Sequence, residues 1–250
     1  MIKEIFFLVA LLLSSSFCFA QNRQQDDEGY FWIDFDNDLF FKTDYYYTNG
    51  INLGITHPIF KKSPLRVILF TSKDSSSICY SGIKLTQEMY TPSITDNEAF
   101  APNDRPYAGV LYATQFSDLR FPSKKRRLYS ALSLGLLGPG AGTKETQSFI
   151  HRITPSPDPL GWDNQIRQGF IINYSLQAEQ GIISKKNTLW TISATTDFGN
   201  YKTNIGLGSS VRIGKFNDYY RSLPVSKHFN KWQLYGTIGV LSHFVIYNAT

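Results

Sequence analysis

Lys202 to Gly214 read KTNIGLGSSVRIG. Ile205, Leu207, Val211 and Ile213 fall on one parity, and Lys202, Asn204, Gly206, Gly208, Ser210 and Arg212 on the other. A period of two belongs to a β-strand whose faces meet different surroundings. Thr48 to Thr56, TNGINLGIT, repeats it: Ile51, Leu53 and Ile55 oppose Thr48, Gly50, Asn52, Gly54 and Thr56. In a water-soluble sandwich the polar face meets bulk water and carries long charged side chains. Here that face is mostly Gly, Ser, Thr and Asn. This suits the crowded polar lumen of a small barrel whose aliphatic face turns to lipid. On pattern alone, a soluble lipocalin-like barrel is the competing arrangement.

Further strands are predicted at about 30–36, 47–57, 80–90, 107–118, 127–137, 166–180, 188–198, 202–214 and 231–247. Many approach or exceed the ~9–11 residues a tilted strand needs to cross a bilayer. Tyr30, Trp32, Tyr47, Tyr90, Tyr107, Trp190, Trp232 and Tyr247 stand near strand ends, where an interfacial girdle wants amphipathic rings. The fold class is therefore all-β, an antiparallel transmembrane β-barrel. Single-chain bacterial barrels close on an even number of strands, whereas about nine are countable here. LYGTIGVLSHFVIYNAT also ends in mid-pattern at Thr250. Two expectations follow: the chain stops before the last strands of its barrel, or a strand hides near PLRVILF, residues 64–70.

The first residues bear on export. Lys3 precedes the apolar run IFFLVALLL, and SSSFCFA ends at a small residue. These are the parts of a secretory signal peptide cut after Ala20. The expected domains are a signal peptide over 1–20, a polar leader over 21–29 and an outer-membrane barrel over 30–250. Cys18 leaves with the signal, so Cys79 has no intrachain partner. A net charge of +5 over 250 residues is too small to name an anionic partner, and no nucleic-acid partner is expected.

With the mature N-terminus on the periplasmic side, successive strands rise and fall. DNDLFFKTDYY, YTNG, QEMYTP, NDRPYAG, GPGAG and GWDNQ then all fall at the outer rim. His151 is the one histidine of that group; His57, His228 and His243 lie near inner turns or in a late strand. Imidazole titrates near neutral pH and can take a proton from water. An Asp with neighbouring oxygen donors can hold a hard cation, and that cation can stabilise an oxyanion. DND at 36–38 can equally form a solvated Asx-turn.

DNDLFFKTDYYYTNG, NDRPYAGVLYA and GPGAGTKETQSFIHRITPSPDPLGWDNQI, in this order and spacing, resemble the lipid A 3′-O-deacylase family of outer-membrane barrels. The resemblance spans about residues 30–180; RPYAG and the Q-x-x-x-H…G-W-D-N-Q block are its specific parts. It implies a twelve-stranded barrel, and it implies removal of the acyloxyacyl chain ester-linked at the 3′ position of lipid A, the lipopolysaccharide anchor of the outer leaflet. His151 matches the catalytic histidine that activates water, Asn37 and Thr48 the polar residues lining the site, and Asp38 the acidic residue associated with a divalent cation, expected to be Ca²⁺. The family has an acidic residue six positions after the histidine. Pro157 stands there, and Asp158 follows as its replacement. The loop after the third strand, basic in the family, reads SITDNEAFAPNDR, which leaves Arg105, Lys144 and Arg152 as phosphate contacts. The chain is expected to act as a monomer. The alternatives are an outer-membrane phospholipase and a non-catalytic barrel.

Overall fold

The period-two segments become strands at nearly their expected bounds. A computed structural model describes residues 29–37, 46–93, 104–153, 160–221 and 232–250. In chain order they form β1 (Tyr30–Asn37), β2 (Tyr46–Thr56), β3 (Ile78–Thr91), β4 (Ala108–Phe121), β5 (Arg126–Leu137), helix α1 (Thr143–Ile153), β6 (Gly169–Lys185), β7 (Thr188–Gly199), β8 (Lys202–Lys215) and β9 (Leu234–Asn248). Among the described residues there is one sheet of nine strands, each antiparallel to the next, in sequence order. None of the described helices is long and apolar enough to cross a membrane. The proposed signal peptide lies outside the described residues, as does the leader as far as Glu28.

Register decides which face is which. Phe31, Ile33 and Phe35 of β1 stand opposite Ile55, Leu53 and Ile51 of β2, and Ile83 and Leu85 of β3 continue the rows. All of these but Ile51 are exposed, and so are Ile205, Leu207 and Ile213 of β8. The other parity is packed inside. Trp32 lies over Gly54, where a Cβ would stand 2.1 Å from its ring, and meets Phe116 at 6.0 Å between centroids. The apolar face therefore turns outward and the polar face inward, as in a lipid-embedded barrel.

Contacts across the lumen show that the sheet curls. Tyr90 of β3 and Val110 of β4 pack with Ile171 of β6 and with Tyr201, between β7 and β8. Glu88 accepts hydrogen bonds from Tyr112 (2.9 Å), Tyr90 (3.0 Å) and Tyr201, with Lys202 Nζ at 3.6 Å. At the opposite end Asp118 takes Arg120 and Arg127, each at 2.7 Å, and Arg120 reaches the carbonyl of Tyr219 at 3.0 Å. Glu88 is thus met by a cation and three hydroxyls, and Asp118 by two guanidinium groups, which a charge in so dry a place requires.

Two expectations need correction. The eight aromatics do not form one girdle. Trp190 faces outward and is exposed, but Trp32 and Tyr90 line the lumen and Tyr107 is buried. Trp32 shares the parity of Asp34 and Asp36, so the pleat carries it inside with them. PLRVILF holds no strand either. Pro58 and Pro64 each start a 3-10 turn, Pro58–Lys62 and Pro64–Val67. Proline lacks the N–H that a ladder needs. His57 Nδ1 and Ser63 Oγ, just ahead of the prolines, accept from the amides of Ile59 (3.2 Å) and Leu65 (3.3 Å).

Candidate active site

The YTNG motif makes a bulge. Tyr47 pairs with Tyr90 and Asn49 with Met89, so Thr48 is an extra residue on β2. A bulge re-aims side chains. Thr48 is buried, and its hydroxyl lies 2.6 Å from that of Thr91. Asn49 is also buried. The pairings Asn37–Asn49, Asn49–Met89 and Met89–Gly109 continue the outward-facing parity of Phe35 and Ile51. The bulge therefore sets polar groups on the lipid-side wall, near the rim.

Helix α1 covers that patch. Its buried stripe, Thr143, Gln147 and His151, is spaced i, i+4, i+8 and is wholly polar. Phe149 and Ile153 are 58% and 51% exposed. An ordinary amphipathic helix buries an apolar stripe; here the buried stripe is polar, and two large apolar side chains are exposed beside Lys144, Glu145 and Arg152. Glycine allows the approach. A Cβ on Gly109 would stand 2.1 Å from Thr143 Oγ1, which explains the last residue of RPYAG. Gly138 and Gly142 of GPGAG hold φ of +87° and +66°, a region costly for other residues. They turn the chain outward from β5, and Gln87 Nε2 fastens the turn by donating to the Ala141 carbonyl at 2.7 Å.

GWDNQ closes the other side. Gly161, at φ +103°, lets Trp162 fold under the helix, where its indole N–H donates to Gln147 Oε1 at 2.7 Å. Trp162, Met89 and Tyr107 form an apolar floor, joined by Ile150 from the helix and Ile51 from β2. His151 follows Ile150 and is 7% exposed. Within this patch Asn49 Oδ1, Thr143 Oγ1 and Gln147 Nε2 are buried with no hydrogen-bond partner among the described residues. Each such group costs ~1–3 kcal/mol unless something polar meets it. Three such atoms share this patch, of seven among the described residues.

His151 on α1 and Thr48 on β2 are each buried, and the backbone of Asn37 at the end of β1 pairs with Asn49, next to Thr48. Asp38 and Asp158 lie outside the described residues. The basic candidates are differently placed. Lys144 pairs with Asp163 at 2.6 Å on the exposed side of the helix, and that carboxylate raises its pKa. Arg152 is exposed at the helix end. Arg105 turns to the lumen mouth, 4.8 Å over the Tyr90 ring and 2.7 Å from the Thr250 carbonyl. Sequence reasoning missed Asn49, Thr143 and Gln147. The four-residue spacing of Gln147 and His151 was the available signal for two of a stripe.

The family described as outer membrane protein LpxR matches residues 5–250. Among solved structures, LpxR from Salmonella typhimurium superposes with a TM-score of 0.65 at 19% identity, over 82% of this chain and 68% of that one. No curated protein sequence matches this chain. The motifs quoted above, the nine-stranded outward-apolar sheet and the family match converge: the chain belongs to the LpxR family of outer-membrane β-barrels, the lipid A 3′-O-deacylases.

Proposed function

We propose that this protein is an outer-membrane esterase that removes the 3′-O-linked acyloxyacyl chain of lipid A, with His151 as the base. One observation carries the reading: a helix lays a buried polar stripe ending in His151 against the outward wall, while Phe149 and Ile153 on the same helix are exposed. A lipid ester can reach such a site from the bilayer without entering the lumen.

In this reading His151 takes a proton from water as the oxygen attacks the acyl carbonyl carbon. The bond from that carbon to the sugar 3′ oxygen breaks, and the imidazolium returns its proton to that oxygen. Gln147 Nε2, a buried donor without an acceptor, can bond the oxyanion. Thr48, Asn37 and Asn49 line the approach. Calcium fits the donor set: it takes oxygen ligands, and Asn49 Oδ1 is a buried oxygen without a partner. Asp38, next to Asn37, and Asp158 would supply carboxylates. Among the described residues no three His, Cys, Asp or Glu side chains group as metal ligands. When bound, the ion would polarise the ester carbonyl. Arg152, exposed beside His151, would meet a lipid A phosphate, whereas Lys144 is engaged by Asp163 and Arg105 turns to the lumen mouth.

Purified protein offered lipid A or phosphatidylethanolamine, with and without chelator, tests this. Release of the 3′ chain from lipid A, lost in chelator, is the expected result. Release from phospholipid alone would favour a phospholipase, and full activity in excess chelator would remove the metal from the mechanism.

A further inference from the structure

Residues 57–77, between β2 and β3, do not form a turn under the barrel; they lie on its outer wall. Ser117 and Ser130 are neighbours on the outward parity of β4 and β5, and Gln115 shares that parity. In hydrocarbon such groups would be unsatisfied. The segment satisfies them. Phe70 N donates to Ser130 Oγ at 2.7 Å, and Ser117 Oγ donates to the Phe70 carbonyl at 2.7 Å. Ser63 Oγ donates to Gln115 Oε1 at 2.8 Å, whose amide donates to the Phe60 carbonyl at 3.3 Å. Tyr174 of β6 donates to the Ile68 carbonyl. The segment is thus a belt stitched across β3 to β6.

Its free side is mixed. Val67 and Ile59 are 89% and 62% exposed, with Lys62 and Arg66 exposed between them. From 57 to 77 the chain holds four basic residues, Lys61, Lys62, Arg66 and Lys73, against one acidic, Asp74. Lys61 and Arg66 also line a cleft of about 50 Å³ against the wall, with Phe60, Phe70 and Ser117.

Height on the barrel names the occupant. Gly109 lies under α1 and Ser117 under the belt, both on β4. Eight residues along a strand tilted by ~40° descend ~20 Å, close to the ~25 Å apolar band of such barrels. The belt is at the far edge of the hydrocarbon, in the leaflet opposite the helix. We propose that it binds anionic phospholipid of the periplasmic leaflet: Ile59, Val67 and Ile68 enter the acyl region while Lys61, Lys62 and Arg66 hold the headgroup phosphates. Apolar insertion beside juxtamembrane cations is the chemistry of interfacial lipid binding.

Native mass spectrometry of the whole protein taken from phosphatidylcholine vesicles, with or without phosphatidylglycerol, tests this independently of ester hydrolysis. The expected result is retained phosphatidylglycerol. Replacing Lys61, Lys62 and Arg66 by Gln should weaken it by roughly fivefold per cation, about a hundredfold in all. The charge-conserving variant Lys61→Arg, Lys62→Arg, Arg66→Lys should retain it. A gel shift between heated and unheated samples checks that each barrel is folded. Equal phosphatidylglycerol on wild type and a folded Gln variant would overturn the assignment. So would no preference over phosphatidylcholine, or loss in the charge-conserving variant.

Discussion

Replacing Gly109 by Ala should separate the helix from the wall without unfolding the barrel. The new Cβ would stand 2.1 Å from Thr143 Oγ1, 3.0 Å from its Cγ2 and 3.1 Å from its Cβ. Ordinary contact begins at 3.4 Å, so the shortfall is about 1.3 Å (3.4 − 2.1). A packed site absorbs such an insertion at a cost of ~1–3 kcal/mol. Misplacing a reacting group by ~1 Å can cost ~10²-fold in rate. The N-terminal end of α1 must back away, carrying the Thr143, Gln147, His151 stripe off the wall. The expected outcome is a roughly hundredfold loss of lipid A deacylation, read by mass spectrometry, with the folded barrel retained on unheated gels. Thr143→Ala removes the two nearest atoms and leaves the 3.1 Å contact, which a few tenths of an ångström relieves. Gly109→Ala with Thr143→Ala should therefore regain most of the activity, a coupling that independent sites would not show. Full activity of the single variant, or no rescue in the double, would refute the close seating of the helix on Gly109.

Trp162→Phe keeps a ring under the helix but strips the donor from Gln147 Oε1. We expect a local cost of ~1–3 kcal/mol, seen as faster hydrogen exchange in Thr143–Ile153 and lower activity; unchanged exchange would deny Trp162 that role. The connection between β3 and β4 should respond to acid. Asp104 accepts from Ser93 Oγ (2.5 Å), Ser93 N (2.6 Å) and Arg105 N (2.7 Å), and these bonds lower its pKa, those from Ser93 most. A depressed carboxylate contributes fully above its unfolded value of ~3.9 and loses the contribution as pH falls through the folded one. Protection of the Ser93 amide should persist at neutral pH and fade below that value. Protection that survives Asp104→Ala at neutral pH would count against the clasp.

The strands were legible because their faces meet unlike media, and alternation is all that this requires. TNGINLGIT and KTNIGLGSSVRIG read correctly to within a residue or two at their ends. Helix α1 was illegible for the converse reason. Hydrophobic periodicity finds helices by an apolar stripe, and the buried stripe here is Thr143, Gln147 and His151. The belt misled in the same way: PLRVILF is an apolar run, yet its prolines and the caps at His57 and Ser63 carry the local geometry. The rim was legible because motifs alternate with strand direction. The bulge at Thr48, which puts Asn49 beside it on one face, has no counterpart in a regular period.

The most direct measurement is the lipid A mass spectrum of cells producing this protein or its His151→Ala variant, each with the barrel shown to be folded in the outer membrane. The account expects lipid A lacking the 3′ acyloxyacyl chain with the first and intact lipid A with the second. The same shortened lipid A from both, or intact lipid A from both, would contradict it.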